Sequence, residues 1–391
     1  MSQVFILSST RTPLGSFLGG LSKVPAPKLG GAVLQESVKK SGIEPNSIDE
    51  LFVGNVLSCN LGQNPAKQVA IAGGLPPTTP ATLVNKVCCS SLKALILATQ
   101  LIKANEINTA AIVGTENMSL APHLIENSRS IQKMGNAHIE SIENPIDAKD
   151  DMIVDGLWDS FNNLHMGTLA DNTAKSMGIT REEQDRYAIQ SFKRAEEGWN
   201  TGSLDVIPFE KVTKDEVIPK LIIEKVPNLR PCFNKDGTIT AATSSAIADG
   251  AASVVLASEE YVKSHNLKPI ARIVSYADAG REPAEFTLAP VDAARKALQK
   301  AGKTIDDVDL WEVNEAFACV PLMFMKVLQI SEEKVNIFGG GVSIGHPLGC
   351  TGVRIVNTLI SALKYKGLKT GVATLCNGGG GASAVVIELV Q

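Results

Sequence analysis

The chain has 391 residues, 44% of them hydrophobic and 20% charged, with a formal net charge of -4. That is long enough for more than one buried core and has the balance of an ordinary globular protein. A weakly acidic chain without blocks of like charge excludes a nucleic-acid or anionic-membrane surface as its main partner, and no apolar run approaches the roughly 18 residues that a spanning helix needs.

The first predicted element is the strand-like run VFILSS at 4–9, so close to the start that no targeting segment is expected before it. IDELFVGNVL at 48–57 reads as a second buried strand. In VNKVCCSSLKALI, at 84–96, a strand pattern gives way to a helix starting near Ser90 or Ser91. Leu92, Ala94, Leu95, Ile96, Leu97, Ala98, Leu101 and Ile102 leave that helix almost no polar face, so it must be covered on all sides. NTAAIVGTEN at 108–117 follows as a buried strand.

From 121 to 240 the regular alternation breaks. ENSRSIQKMGNAHIESIENPIDAKDD reads as a polar excursion over the surface, and T-R-E-E at 180–183 is a capping box opening a helix that runs toward Gly198. Beyond it the early pattern returns: VDLWEVNEAF at 308–317, an apolar helix TGVRIVNTLISAL at 351–363, and the strand KTGVATLCNG at 369–378. The chain therefore reads as duplicated α/β halves, 1–120 plus 241–268 and 269–391, with 121–240 inserted as a loop domain. Strands alternating with helices predict parallel sheets in both halves, with ligands at the carboxyl ends of the strands.

Cys59, Cys88, Cys89, Cys232, Cys319, Cys350 and Cys376 include no C-x-x-C pair, and their scatter predicts free thiols in a reducing compartment rather than a disulfide framework or a zinc site. Cys88 and Cys89 stand at a predicted helix start, where unpaired N–H groups and the macrodipole favour a thiolate; either is a candidate nucleophile. Three segments fit a site beside them. GGGVSIGHPLGCTG holds His346, TLCNGGGGAS places Cys376 at a strand end before glycines, and WEVNEAFA puts Asn314 and Glu315 after a buried strand. The glycine run lacks the Lys-Ser/Thr of a P-loop, which excludes nucleotide hydrolysis of that type.

RTPLGSFLGGL, LGQNPAKQVA, VNKVC-x-S, HMG, NLRP-x-F, DGTITA, NEAFA, GHPLG and LCNGGGGAS occur in an order that resembles the thiolases along nearly the whole chain. The resemblance implies two pseudo-symmetric α/β halves in five αβαβα layers with an inserted loop domain. It implies acetyl-CoA C-acetyltransferase activity, the reversible condensation of two acetyl-CoA to acetoacetyl-CoA and CoA. Asn85 sets the family register, which makes Cys88 the matched nucleophile and Cys89 its variable neighbour. His346 would take the Cys88 proton, Asn314 would hold a water that completes an oxyanion hole, and Cys376 would act as acid and base at the α-carbon. Backbone N–H groups of Cys88 and Gly378 would form a second oxyanion hole.

Further matches place Leu157, His165, Met166, Phe233, Ala241, Ala316 and Phe317 along the pantetheine and acyl pocket, with Ser245 on the pantetheine and Arg230 near the adenine. The HMG at 165–167 resembles short-chain enzymes acting on acetoacetyl-CoA. No metal and no cofactor are implied, since CoA is substrate and product; a cytoplasmic homo-oligomer, dimer or tetramer, is. Four departures stand out: Ser91 replaces a glycine, Thr243 an asparagine, Trp158 is bulky, and TLAD at 168–171 is unusual. The competing readings are a 3-ketoacyl-CoA thiolase of broader chain length, a 3-ketoacyl synthase, and a non-catalytic acyl-CoA carrier. A second thiol at 376, where a synthase has histidine or asparagine, and the complete set Cys88, His346, Asn314 and Cys376 argue against the last two.

Overall fold

The computed structural model describes residues 3–130, 132–135 and 147–390; residues 131 and 136–146 of the polar stretch lie outside the described residues. In chain order the amino half supplies β1 (Val4–Arg11), α1 (Ala26–Ser41), β2 (Glu50–Gly54), α2 (Pro65–Ala72), β3 (Ala81–Val84), α3 (Ser90–Lys103) and β4 (Thr109–Asn117). The excursion contributes α4 (Met166–Ser176) and α5 (Arg181–Asn200) before the chain returns in β5 (Ala248–Ser258). The carboxyl half follows as β6 (Ala271–Gly280), α6 (Ala289–Ala301), β7 (Leu310–Val313), α7 (Cys319–Leu328), α8 (Thr351–Lys366), β8 (Thr370–Asn377) and β9 (Gly381–Leu389).

Hydrogen bonding joins the strands in the order β7-β8-β9-β6-β1-β5-β4-β2-β3. The order is a near palindrome about the β6–β1 seam: β1 answers to β6, β5 to β9, β4 to β8 and β2 to β7. At the seam the halves are joined by the antiparallel pairs Val4↔Ile273, Phe5↔Arg272 and Ile6↔Ala271. The expectation of parallel sheets is corrected here, because each half is mixed. β2 runs parallel to β3 and β4, and β7 parallel to β8, but β5 is antiparallel to β1 and β4, and β9 to β6 and β8. The reason is local in the second half: β8 turns into β9 through Gly378–Gly380, too short for the crossover that a parallel neighbour requires.

Helices α1 and α2 cover the outer face of the amino-half strands, and α6 and α7 that of the carboxyl half. Between the halves lie α3 and α8, packed on each other and each touching strands of both. The sequence dictates that position. Leu92, Leu95, Ile102, Val353, Ile355, Val356 and Leu359 are all fully buried, each contributing about 1.5–3 kcal/mol of transfer free energy. The result is five layers, α/β/α/β/α.

The capping box of α5 forms as its residues require. Glu183 N–H donates to Thr180 Oγ1 at 3.2 Å and Thr180 N–H to Glu183 Oε2 at 2.7 Å. One face of α5 then ties the excursion to the carboxyl half, since Tyr187 and Ser191 each donate at 2.8 Å to the buried carboxylate of Glu315.

Candidate active site

The approach to α3 is a strained turn. Val87, a β-branched residue, has φ +48°, a left-handed conformation that costs about 1–3 kcal/mol. Two side chains hold it: Asn85 Oδ1 accepts from Val87 N–H at 2.9 Å, and Ser90 Oγ accepts from Lys86 N–H at 2.9 Å. The two residues after the turn part company. Cys89 is fully buried and its thiol donates to the Leu375 carbonyl at 3.3 Å, inside the core between the halves. Cys88 faces a small cavity of about 50 Å³ and points its sulfur at its own N–H and that of Gly378.

His346 reaches the same cavity from the other half. Gly345 precedes it at φ +106°, and a Cβ there would lie 2.5 Å from that of Ala248, so only glycine lets the loop pass. The Thr351 hydroxyl donates to the Pro347 carbonyl at 2.9 Å and must therefore accept from His346 Nδ1–H, 2.6 Å away. This assigns the tautomer: the proton sits on Nδ1, and Nε2 is the acceptor. Asn314 Nδ2 lies 3.4 Å from Nε2, while its Oδ1 accepts from the buried Arg354 guanidinium at 3.2 Å. Arg354 thus sets which way the amide faces.

Electrostatics differ from the thiolate expected at a helix mouth. Burial, aided by Cys89, pushes the Cys88 thiol up to about 12, against the lowering by the two N–H groups. Burial raises Cys376 well above the usual thiol range, with the neighbouring Cys88 and Cys89 adding to it. Burial, with Arg354 nearby, takes His346 down to about 3. Both shifts favour a neutral thiol beside a neutral imidazole, because desolvation opposes the charge that the helix end favours, although Cys88 as a residue is only half-buried.

The inner cavity is lined by Cys88, His346, Cys376 and Gly378 together with Leu157, His165, Met166, Ser245, Ala316 and Phe317, all singled out from the sequence. Gly156, Phe286 and Leu348 complete it. It shares Leu157, His165, Ser245, Phe317, His346 and Leu348 with a wider cavity of about 470 Å³ to which Phe233 and Ala241 also contribute. His165 caps α4, its Nδ1 accepting from Gly167 N–H at 3.0 Å, and stacks on Phe233 with ring centroids 4.8 Å apart. A Cβ on Gly167 would lie 2.4 Å from that ring, which explains the glycine of H-M-G.

Arg230 is exposed and lines neither cavity; the cation on the wall of the wider one is Lys220. The sequence reading also missed Thr351, Arg354 and Glu116. Glu116 is fully buried and accepts from Val56 N–H, Leu57 N–H, Asn55 Nδ2 and, across the halves, Gly349 N–H in the His346 loop. Both Glu116 and Arg354 had a signal, a lone charge in an otherwise apolar strand or helix.

The departures are absorbed. Ser91 Oγ accepts the Val353 N–H of α8 at 3.1 Å, capping across the central layer. Thr243 Oγ1 accepts from Thr240 N–H at 2.8 Å, and Asp171 of T-L-A-D accepts from Thr238 N–H at 2.8 Å. Trp158 is 41% exposed and lines neither cavity.

Comparison with known proteins gives one answer. The family model described as thiolase, N-terminal domain, matches residues 4–260, and thiolase, C-terminal domain, matches 267–389. A cytosolic acetyl-CoA acetyltransferase of Gibberella zeae is 46% identical over 99% of this chain and 98% of its own. The mitochondrial acetyl-CoA acetyltransferase of Homo sapiens is 42% identical over 99% of this chain and 91% of its own. The crystal structure of the Acat5 thiolase from Ascaris suum in complex with coenzyme A superposes with a TM-score of 0.92 at 43% identity, covering 99% of this chain and 100% of that one.

Proposed function

The chain belongs to the thiolase family, and from that premise we propose that it is an acetyl-CoA C-acetyltransferase whose chemistry is divided between its two halves. The observation that carries this reading is the inner cavity, in which Cys88, His346, Cys376 and Gly378 meet at the end of a wider channel. That channel has room for a pantetheine arm, and Ser245, Phe233 and Phe317 stand along it.

In the degradative direction Cys88 attacks the 3-keto carbon of acetoacetyl-CoA while His346 Nε2 takes its proton. Transfer in step with attack suits a half-buried thiol beside a buried imidazole, since neither a free thiolate nor an imidazolium must exist beforehand. The developing oxyanion lies against the Cys88 and Gly378 N–H groups. The C–C bond then breaks and the acetyl-CoA carbanion takes a proton from Cys376; incoming CoA gives its thiol proton to Cys376 and takes the acetyl group, and the released Cys88 thiolate regains its proton from His346. At the thioester oxygen of bound acetyl-CoA, His346 and a water held by Asn314 supply the donors. Reversal is a Claisen condensation of two acetyl-CoA with an acetyl-cysteine intermediate.

The excursion at 121–240 serves as the cover of this site, because Leu157, His165, Met166 and Val217 reach the cavities from it. Lys220 is suited to an anionic group of CoA outside the pantetheine, and Arg230 to the adenine end. We place the enzyme in the cytoplasm as a homo-oligomer, dimer or tetramer. The seven free thiols suit a reducing compartment, and among the described residues β3 ends the sheet path with no further strand on its outer edge.

The deciding experiment mixes purified protein with acetoacetyl-CoA and CoA and follows loss of the enolate absorbance. Mass spectrometry after acetyl-CoA should show one acetyl group on Cys88. Absence of both thiolysis and adduct, or consumption of malonyl-carrier without thiolysis, overturns the assignment.

A further inference from the structure

Beside the catalytic cavity, and outside it, a thiol meets two carboxylates. Cys59 lies on the loop that leaves β2, Asp151 ends the excursion's outer course, and Asp155 follows one turn later in the helical segment Met152–Leu157. Their ligand atoms all lie within 4.8 Å of one another. The sequence offers no motif for this group, because the chain brings its members together from distant segments.

Asp151 is the member that demands a ligand. It is fully buried, and among the described residues neither carboxylate oxygen has a conventional hydrogen-bond partner; only the weakly donating thiol of Cys59 faces it. The adjacent backbone donors are spent elsewhere: Asp151 N–H on the Pro122 carbonyl at 3.1 Å, Met152 N–H on Asp150 Oδ1 at 2.9 Å. Buried carboxylates in folded proteins are paired, hydrogen-bonded or on a metal, and here Asp151 has no cationic partner among the described residues and only a weak thiol donor.

The donor set narrows the guest. A thiol among carboxylates favours a borderline-soft divalent ion over magnesium or calcium, which want oxygen alone. Three protein ligands with the fourth side toward the exposed Asp155 and solvent match a four-coordinate ion with one water. We propose that Cys59, Asp151 and Asp155 bind a single divalent cation of the zinc type. Bonds of about 2.3 Å to sulfur and 2.0–2.2 Å to oxygen put tetrahedral ligands about 3.6 Å apart. The group therefore draws in by about an ångström, which half-buried Cys59 and exposed Asp155 are free to do.

The cation fastens the 55–61 loop to the Met152–Leu157 turn. Gly156 and Leu157 of that turn line the inner cavity, so the ion sets the position of the acyl wall without touching reacting atoms.

Cobalt(II) is the probe, since a cobalt–thiolate bond gives a near-ultraviolet charge-transfer band. Titrated into the intact protein, it should give the band at one equivalent, and zinc should displace it. Cys59→Ser should lose the band, Asp151→Asn should weaken cobalt binding at least tenfold, and Cys88→Ala should keep it. Circular dichroism of each variant checks folding, and Cys59→Ser is conservative at a half-buried loop position. No band in the parent protein, a band that survives Cys59→Ser, or a band that requires Cys88 overturns the proposal.

Discussion

Helices α3 and α8 hold equivalent places in the two halves and begin against one another, yet their mouths are built for different tasks. A Cβ on Gly352 would lie 2.3 Å from Leu92 N, so closely do the helix starts meet. At α3 the chain enters through the strained Val87, no side chain caps the helix, and a thiol is left facing free N–H groups. At α8 the Thr351 hydroxyl holds the His346 imidazole, and Ser91 Oγ, reaching across from α3, accepts the Val353 N–H. The symmetry of the halves supplies the meeting point, and a few residues differ between the mouths in the way the proposed nucleophile and base require. Neither half alone contains the site.

The largest effects should come from separating the two thiols. Cys88→Ala should lower turnover by at least about 10⁴-fold and abolish the acetyl adduct. Cys376→Ala, in the other half, should still acylate from acetyl-CoA yet lose about 10²–10⁴-fold in condensation, the range of a general acid–base. Mass spectrometry and the thiolysis assay distinguish them, and equal loss of acylation in both folded variants breaks the division of labour. Cys89→Ala should leave both readouts nearly unchanged.

Next in size is the imidazole. Thr351→Val removes the acceptor on Nδ1 and lets the ring adopt the wrong tautomer, so acylation should slow by about 10- to 100-fold, within what a general base contributes. Thr351→Ser should restore it; an unaffected valine variant removes the tautomer argument.

Glu116 tests the joint between the halves through pH. Burial raises its carboxyl to about 7 despite three backbone N–H donors. A raised folded-state value means the native protein holds this proton more tightly than the unfolded chain. Its contribution to stability is thus complete below about 4.5 and is lost as pH rises through about 7. Glu116→Gln has no such titration, so its melting temperature relative to the parent should rise between pH 5 and pH 8. A constant difference means that this carboxyl does not titrate in that window.

The smallest effect expected is at Ser91. Ser91→Ala removes a cap on α8 and should cost about 1 kcal/mol of stability, read by denaturant melting, with turnover preserved.

Much of this was legible because it rests on local physics. The apolar run at Leu92–Ile102 demanded burial, Thr180 and Glu183 demanded a helix start, and the recurrence of strand–helix–strand showed two halves. Glu116 and Arg354 were visible as misplaced charges, but not their partners, which come from the other half or from a distant turn. Strand direction was misread because alternation of strands and helices does not say whether β4 and β8 receive an antiparallel neighbour.

The linear order of residues determined the elements and the covered central helices, and through its resemblance to the thiolases the N-x-x-C register singles out Cys88 as the proposed nucleophile. Hydrogen-bond geometry explains that register, since Asn85 binds the N–H of the strained residue before Cys88. Only the folded chain sets the surroundings that push these groups toward their neutral forms, and the partners that each one has. A helix mouth favours a thiolate, but enclosure by residues from both halves removes the water that a charge needs, and burial is a property of the assembled layers.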